Sequence, residues 1–263
     1  MTENKSDSSE KRKRRILEDL PAIAGAVIVA LIIRTFVFQS FYVPSDSMFP
    51  SLLVGDHLFV SKFTFGAKIP GTEVHLPDTR EPRRGDVIVF RLARDGRQVF
   101  APDLRPDLKA DTFIKRLVGL PGDRVEIKNG RLHLNGEVVP ARLTGDSFVD
   151  SRGRLFNVLQ EDLGDCRHLI LDDPQFPGLD MPEMVVQEGR YFFLGDNRDN
   201  SLDSRRWGTV KSTAMYGPAG LLYWSWNWTG TWLELLNPIT WWNNLTGKTR
   251  WDRIGDMIGC ESI

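Results

Sequence analysis

Two serines in a turn bounded by prolines are the first residues of this sequence that suit nucleophilic chemistry. The turn reads Pro44-Ser45-Asp46-Ser47-Met48-Phe49-Pro50. Proline fixes its own φ angle and restricts the residue before it, so the turn holds a hydroxyl in a fixed direction, as a nucleophile requires. Most turns of this composition have no catalytic role, and the segment alone leaves the choice open.

A lysine with apolar neighbours is the second candidate. Alternate side chains of a strand share a face, so Phe113, Lys115 and Leu117 lie together. Apolar surroundings and the adjacent charge of Arg116 both disfavour an ammonium ion and lower the pKa of Lys115, which suits a general base. The alternative is an edge-strand lysine in water. Lys62 has much the same setting, so the pattern alone does not choose between the two lysines.

A dense run of charges follows an apolar strand at residues 195–208. It reads Gly-Asp-Asn-Arg-Asp-Asn-Ser-Leu-Asp-Ser-Arg-Arg-Trp-Gly. A calcium loop is excluded because Arg198 and Ser201 stand where an oxygen ligand and a glycine are needed. The run favours a rigid, charge-paired loop packed beside a site.

Other catalytic classes lack their motifs. The sequence has no His-Glu-x-x-His, no Cys-x-x-Cys and no Gly-x-x-x-x-Gly-Lys-Ser/Thr, so we predict no metal site. It also lacks the Gly-x-Ser-x-Gly elbow of hydrolases that use a histidine base. The four histidines are scattered, at His57, His75, His133 and His168.

The elements that must position these residues read as short strands. Asn129-Gly130 is typical of a type I′ hairpin turn, and no helical pattern alternates with the strands. We therefore predict a mainly β protein with an antiparallel catalytic sheet. Residues 93–111 and 143–188 read as long loops or as an inserted subdomain. The six predicted strands are 56–63, 86–92, 112–119, 124–128, 131–134 and 190–194.

The N-terminal segment has the charge and hydropathy of a membrane anchor. Six basic residues lie within residues 1–15, and an apolar stretch runs from Leu20 to Phe38. That stretch can cross a bilayer, with Pro21 in its first turn and Arg34 near the head groups. The basic residues predict a cytoplasmic N-terminus and an extracytoplasmic catalytic domain. A cleaved signal peptide and a buried core helix are the alternatives, but no convincing small-x-small cleavage site follows the stretch.

The remaining composition narrows the class of protein. Among the 263 residues are only two cysteines, which excludes a disulfide scaffold. The 34 basic and 35 acidic side chains nearly balance, so we predict no nucleic-acid partner. Seven of the eight tryptophans lie between Trp224 and Trp251. Indole rings favour lipid head groups, so we predict that part of this tail contacts the outer leaflet of a lipid bilayer. A final strand with an aromatic face is the alternative.

An ordered set of motifs across residues 41–208 resembles the bacterial type I signal peptidases, which are membrane-bound serine proteases with a Ser/Lys dyad. The set comprises Pro44-Ser45-x-Ser47-Met48, Gly55-Asp56, Gly85–Phe90, Ile114–Asp123 and Gly195–Arg205. The resemblance implies an antiparallel β fold, no cofactor, and removal of signal peptides from secreted preproteins after a small-x-small sequence. It also implies a location in the bacterial cell (inner) membrane.

The resemblance further implies a role for each matching residue. Ser47 is the nucleophile, Lys115 rather than Lys62 is the general base, Ser45 donates to the oxyanion beside the Ser47 N–H, and Ser201 orients the lysine amine. Charge pairs that hold the loops around the dyad are formed by Asp196, Arg198, Asp203, Arg205 and Arg116. Shallow pockets for small side chains before the cleavage site are lined by Phe41, Val43, Met48, Leu52 and Ile114.

Three positions depart from the family pattern. Asp46 stands where glycine is frequent, and it is expected to point away from Lys115, whose pKa it would otherwise raise. Ser51 and Arg206 replace the more usual Thr and Tyr.

A specialised relative, such as a conjugation-pilus maturation peptidase, is the alternative enzyme. A non-catalytic membrane-anchored β module and a self-cleaving repressor are the other rivals, although residues 1–15 are too short for a DNA-binding head.

These interpretations divide the chain into four parts. They are a cytoplasmic basic tail (1–19), a transmembrane helix (20–38), a β-rich catalytic domain (39–220, with 143–188 as an insertion) and a Trp-rich tail (221–263). With that topology, Cys166 and Cys260 lie in an oxidising compartment. The sequence is compatible with a disulfide between the insertion and the tail and equally with two free thiols.

Overall fold

Short strands make up most of the chain that the structure describes. The computed structural model describes residues 19–27, 29, 37–66, 77–150, 152–176, 178–227 and 246–260. Buried and partly exposed positions alternate along strands such as Asp56–Ser61, as expected where one face packs on a core. In chain order the strands are β1 (Phe38–Tyr42), β2 (Asp56–Ser61), β3 (Val87–Asp95), β4 (Gln98–Phe100), β5 (Ala110–Gly119), β6 (Arg124–Lys128), β7 (Arg131–Leu134), β8 (Glu137–Val138), β9 (Ala141–Val149), β10 (Leu155–Asp162), β11 (Arg167–Asp172), β12 (Met181–Val185), β13 (Arg190–Leu194), β14 (Val210–Lys211) and β15 (Met215–Ser225).

The helical elements in the described residues are short. One α-helix, α1, covers Ser204–Trp207, and residues 19–27 and 246–248 are also helical. Single 3-10 turns lie at Phe63–Phe65, Ser212–Ala214 and Trp251–Arg253.

The strands form three antiparallel sheets. The main sheet has eight strands in the order β1-β2-β15-β3-β5-β13-β14, with β4 paired to β3. A four-stranded sheet has the order β12-β6-β7-β8, and a three-stranded sheet has the order β11-β10-β9. The pairings between these strands are antiparallel throughout. The prediction of a mainly β, antiparallel fold is confirmed.

The predicted strands are found as β2, β3, β5, β6, β7 and β13. Asn129 and Gly130 have φ angles of 50° and 69°, as a type I′ turn between β6 and β7 requires. Residues 143–188 are not long loops, because they contain β10, β11, β12 and most of β9; β9, β10 and β11 form a sheet of their own, whereas β12 pairs with β6. β15 ends at Ser225 and therefore crosses the boundary that we placed between residues 220 and 221.

The predicted membrane anchor lies partly outside the described residues, as do residues 1–18 and most of the Trp-rich tail. Residues 19–27 are helical, and their side chains are exposed. None of the helices in the described part of the chain is both long enough and apolar enough to cross a membrane.

Two apolar clusters cover opposite faces of the main sheet. Because side chains alternate along a strand, Phe113 of β5 packs against one cluster and Ile114 against the other. Lys115 then follows on the face of Phe113, and Arg116 follows on the face of Ile114. This alternation places two consecutive cations in different surroundings.

Candidate active site

Ser47 lies in the turn between β1 and β2. The turn is closed where the Val43 N–H donates to the Asp56 carbonyl at 2.9 Å. Asn197 holds it from the other side, since its N–H donates to the Ser47 carbonyl at 3.2 Å and its Nδ2 donates to the Asp46 carbonyl at 3.1 Å. Ser47 is 8% exposed, so its hydroxyl is fixed at the edge of the protein interior.

Lys115 reaches Ser47 from β5. Its Nζ lies 2.6 Å from the Ser47 Oγ and donates to the Ile114 carbonyl at 2.8 Å. The lysine is only 3% exposed, so its amine is removed from water. The structure thus places Lys115 beside the serine, whereas Lys62 follows β2 at the start of the Phe63–Phe65 turn.

Burial lowers the pKa of Lys115 from its usual 10.5 to about 8. The charges of Asp203, Asp196 and Asp46 raise this pKa, but the cost of removing the ammonium ion from water is larger than their combined effect. A lysine with this pKa is neutral in a useful fraction of molecules near neutral pH, as a general base must be.

Arg116, the next residue on β5, is ion-paired on the opposite face. Its guanidinium donates two hydrogen bonds to Asp196, from Nε to Oδ1 at 2.8 Å and from Nη2 to Oδ2 at 2.7 Å, and a third to the Gly85 carbonyl at 2.8 Å. Our expectation that Arg116 helps to lower the pKa of Lys115 is wrong. The nearby carboxylate of Asp196 offsets the arginine charge, and desolvation is the cause of the lowered pKa.

The charged loop after β13 packs against the nucleophile turn. Asp203 accepts hydrogen bonds from Arg205 Nε and Nη2, both at 2.8 Å, and from the Gly195 N–H at 3.1 Å. Gly195 has to be small, because a Cβ there would lie 2.5 Å from the Ser47 carbonyl oxygen and 2.2 Å from the Ser201 Oγ. The predicted Asp203–Arg205 pair is therefore present, and it holds the loop against the backbone of the serine turn.

The two other serines of the motif also lie at the dyad. The Ser45 Oγ is 3.3 Å from the Ser47 Oγ. Ser201 lines the same cleft, but its buried Oγ has no hydrogen-bond partner among the described residues. The expected hydrogen bond from Ser201 to Lys115 is thus not formed in this structure, where the Ile114 carbonyl holds the amine instead.

The Asp46 side chain is held by an amide beside the dyad. Its carboxylate accepts a hydrogen bond from Asn200 Nδ2 at 2.9 Å. It nevertheless lies close enough for its charge to raise the pKa of Lys115. The expectation that Asp46 leaves the pKa of Lys115 unaffected is therefore wrong, because its carboxylate stays in the same cleft as the lysine.

The five residues predicted to line substrate pockets separate into two groups. Val43, Met48 and Leu52 are at most 1% exposed and belong to the apolar cluster beneath the serine turn. They are core residues, because their packing leaves no surface for a substrate to touch. Phe41 and Ile114 are only partly buried at the edge of that cluster, and these two retain surface that can face a peptide.

A cleft of about 650 Å³ opens beside the dyad. Its lining includes Ser47 and Lys115, the loop that contains Asn200 and Ser201, and Phe113 of β5. A peptide that entered this cleft would reach Ser47.

Comparison with known proteins places this site in a family. The family model described as signal peptidase, peptidase S26, matches residues 16–224, which include Ser47 and Lys115. The chain belongs to this family. The predicted family, and with it the class of serine endopeptidase, is confirmed.

Three relatives of this signal peptidase family member are each named signal peptidase I. Signal peptidase I of Pseudomonas aeruginosa is 38% identical over 189 residues, which cover 70% of this chain and 61% of that protein. Signal peptidase I of Pseudomonas fluorescens is 35% identical over 212 residues, covering 76% of this chain and 69% of the relative. That of Buchnera aphidicola subsp. Acyrthosiphon pisum is 30% identical over 249 residues, covering 80% and 75%. The chain thus spans 61% to 75% of the lengths of these three relatives.

One ion-pair partner near the signal peptidase site, Glu161, was not predicted from the sequence. The Arg198 guanidinium contacts both carboxylate oxygens of Glu161, which is buried on β10. The buried His168 completes the group, with its Nε2 3.3 Å from Glu161 Oε2 and 3.8 Å from Asp196 Oδ1. Glu161 was missed because the insertion matches no motif. Its place in the alternating pattern of β10 was the only signal.

Proposed function

We propose that this chain removes signal peptides from secreted preproteins, with Ser47 as the nucleophile and Lys115 as the general base. The observation that carries the proposal is the 2.6 Å contact between Lys115 Nζ and Ser47 Oγ, at a lysine whose pKa burial lowers to about 8. A neutral amine accepts the hydroxyl proton, whereas an ammonium ion cannot. The family match and the names of the relatives support signal peptides as the substrate class.

The first half of the reaction forms an acyl-enzyme. The Ser47 Oγ attacks the carbonyl carbon of the scissile peptide bond, and its proton moves to the Lys115 Nζ. The Ser47 N–H and the Ser45 hydroxyl donate to the oxyanion, and such donors contribute a few kcal/mol each. The protonated lysine then gives its proton to the leaving amine as the carbon–nitrogen bond breaks.

The second half releases the signal peptide. Lys115, neutral again, takes a proton from a water molecule that attacks the ester carbon. The ester bond to Ser47 breaks, and the lysine returns the proton to the serine oxygen. Asp203 and Arg205 act from a distance, because they fix the loop that holds the serine turn in reach of Lys115.

Two substitutions test the assignment of the dyad. Ser47→Ala and Lys115→Ala should each abolish cleavage of a secretory preprotein after a small-x-small sequence, with the cut mapped by mass spectrometry. Lys62→Ala is the matched control and should keep near-full activity. If Lys115→Ala remained active and Lys62→Ala did not, the choice of base would be wrong.

The proposed substrate pockets rest on Phe41 and Ile114, the two predicted pocket residues whose side chains are only partly buried. Their bulk leaves room only for small side chains before the cleavage site. Ile114→Ala should therefore admit larger residues at the position that precedes the cut, measured with a peptide series. An unchanged preference would remove Ile114 from the pocket.

We further propose a single N-terminal membrane span with the catalytic domain outside the cytoplasm. The basic residues before Leu20 support this orientation. The disulfide between Cys166 and Cys260 supports it independently, because such bonds persist in oxidising compartments. Protease added to spheroplasts should digest the chain beyond residue 40. Complete protection of that part would contradict the topology.

Contact with the outer leaflet is the last part of the proposal. Phe38, Tyr42 and Trp251 are exposed aromatic residues of the described chain, and aromatic rings of this kind favour the head-group region. Trp241 and Trp242 lie outside the described residues. In full-length protein reconstituted with brominated lipids, lipid should quench tryptophan fluorescence, and Trp241→Phe with Trp242→Phe should reduce the quenching. Equal quenching would leave these two tryptophans without a membrane role.

A further inference from the structure

The C-terminal segment 246–260, called the brace below, is bonded to the turn that carries Ser47. Arg250 Nη2 donates to the Val54 carbonyl at 3.0 Å, and Arg253 Nη2 donates to the Ser51 carbonyl at 3.1 Å. Both acceptors lie between Ser47 and the start of β2. Two arginines nearly 200 residues away in sequence thus hold the serine turn by its backbone.

Asp56 joins the brace to the turn through charge. Its buried carboxylate accepts from Arg253 Nη2 at 2.7 Å and from Arg250 Nη1 at 3.3 Å. The same carboxylate accepts from the Leu53 N–H at 2.7 Å and from Ser225 Oγ at 2.6 Å. One carboxylate therefore ties together the turn, the end of β15 and the brace, and each hydrogen bond to a charged group is stronger than a neutral one.

The other end of the brace is covalently fixed. Cys260 forms a disulfide with Cys166 of the insertion, so the disulfide that the sequence left open is present. It packs on Gly85, where a Cβ would lie 2.3 Å from the Cys166 Sγ and 2.7 Å from the Cys260 Sγ. The Gly85 carbonyl accepts from Arg116, which also contacts the Gly259 carbonyl at 3.4 Å. The brace thus contacts β5 at the residue next to Lys115.

We infer that the brace positions the serine turn against β5, and that the Cys166–Cys260 disulfide keeps the brace in place. Ser47 belongs to the serine turn and Lys115 to β5. The brace contacts the turn at Ser51 and Val54 and contacts β5 at Arg116. A misplacement of about 1 Å at reacting groups costs on the order of 100-fold in rate, so a tether on this turn has a measurable effect on catalysis. Arg250 and Arg253 are positioning residues, since they act through the turn and not on the substrate.

The main test is Cys166→Ser with Cys260→Ser in the full chain. The catalytic readout rests on the proposed function. We expect kcat to fall by about tenfold or more with KM changed less than about twofold, because a displaced dyad slows the chemical step without weakening peptide binding. Amide hydrogen exchange should quicken in residues 48–56. Exchange in the β6–β7 hairpin, which belongs to a different sheet from β2, should stay as in the parent protein.

Arg253 supplies the second test. Arg253→Ala should lower kcat and quicken exchange in residues 48–56, and Arg253→Lys should restore part of both effects, because its ammonium can still reach Asp56. The control is Arg105→Ala, which removes an exposed ion pair with Asp107 and should change neither quantity.

The outcomes separate the brace from the proposed function. If the cysteine variant and Arg253→Ala both keep kcat within about twofold and exchange in residues 48–56 is unchanged, the inference is overturned. Faster exchange over the whole domain, β6–β7 included, would also overturn it, since the brace would then only stabilise the fold. If the parent protein cleaves no preprotein, the proposed function fails, and the exchange measurement still decides whether the brace holds the turn.

Discussion

Lys115 and Arg116 are consecutive cations on β5 with nearly equal burial, 3% and 1% exposed, but they face different partners. Arg116 donates two hydrogen bonds to the Asp196 carboxylate. The hydrogen bonds of Lys115 go to uncharged oxygens, the Ser47 hydroxyl and the Ile114 carbonyl. The arginine charge is therefore paired in the interior, whereas burial lowers the pKa of the lysine to about 8.

This difference shows how one strand supplies both a structural ion pair and a titratable base. Desolvation acts on both cations, and a carboxylate at hydrogen-bond distance compensates it for the arginine only. The strand alternation does the sorting, because it sends neighbouring side chains to opposite faces of the sheet. The proposed general base is thus the one whose burial is left uncompensated by a direct ion pair.

The largest expected effect comes from Lys115→Met, which removes the uncompensated cation. The rate of cleavage should fall by about 10³-fold or more, since the general base is lost. The stability of the variant should increase. The step of the lysine pKa from 10.5 to about 8 corresponds to about 3 kcal/mol, so unfolding below pH 8 should require more urea in the variant. Ser47→Ala is the control, with the same loss of rate and without this gain. A less stable Lys115→Met protein would contradict the comparison.

Arg116→Met should have the reverse effect on stability. It leaves Asp196 buried without its cation, and breaking such a pair costs about 3–5 kcal/mol. Urea unfolding should show the loss as a lower midpoint. Adding Asp196→Leu should recover much of it, because neither member of the pair then leaves an unpaired buried charge. If Arg116→Met were neutral, the two cations of β5 would not differ as described.

The pH dependence sharpens the comparison further. Cleavage should rise with pH around a midpoint of about 8, where the buried Lys115 loses its proton. The folded pKa lies below the unfolded value of 10.5, so the unfolded chain binds more protons between these values, and stability should rise with pH from about 8 to about 10.5. Lys115→Met should remove this part of the slope. A rate that stays constant down to pH 5 would exclude a lysine base.

The smallest expected effect is that of Asp46→Asn. Asp46 raises the pKa of Lys115 less than Asp203 and Asp196 do, so removing its charge should move the midpoint of the pH–rate profile to lower pH without abolishing cleavage. Asparagine can still accept the hydrogen bond from Asn200, which keeps the turn in place. Asp107→Asn, at an exposed carboxylate paired with Arg105, is the control and should not move the midpoint. A midpoint that moved to higher pH would contradict the expectation that Asp46 raises the pKa of Lys115.

Local patterns predicted some elements better than others. β6 and β7 were found at their predicted bounds, because the Asn129-Gly130 turn and regular alternation mark them. Most of β15, a central strand of the main sheet, was not predicted, since Gly217, Pro218 and Gly220 interrupt its pattern; only its end was considered, as the alternative of a final aromatic strand. Its ladders have register shifts against both β2 and β3, and such irregular strands carry no clear period.

The sequence by itself determined the motifs, the family and the alternation that separates Lys115 from Arg116. Apart from the predicted Asp203–Arg205 pair, only the tertiary structure decided which carboxylate meets which cation. Arg198 pairs with Glu161 of the insertion, and Arg253 pairs with Asp56 across 197 positions. Charge pairs depend on distances of a few ångströms, and those distances follow from strand register and sheet packing. Side-chain periodicity specifies the face on which a residue lies, but it contains no information about the distant segment that packs there.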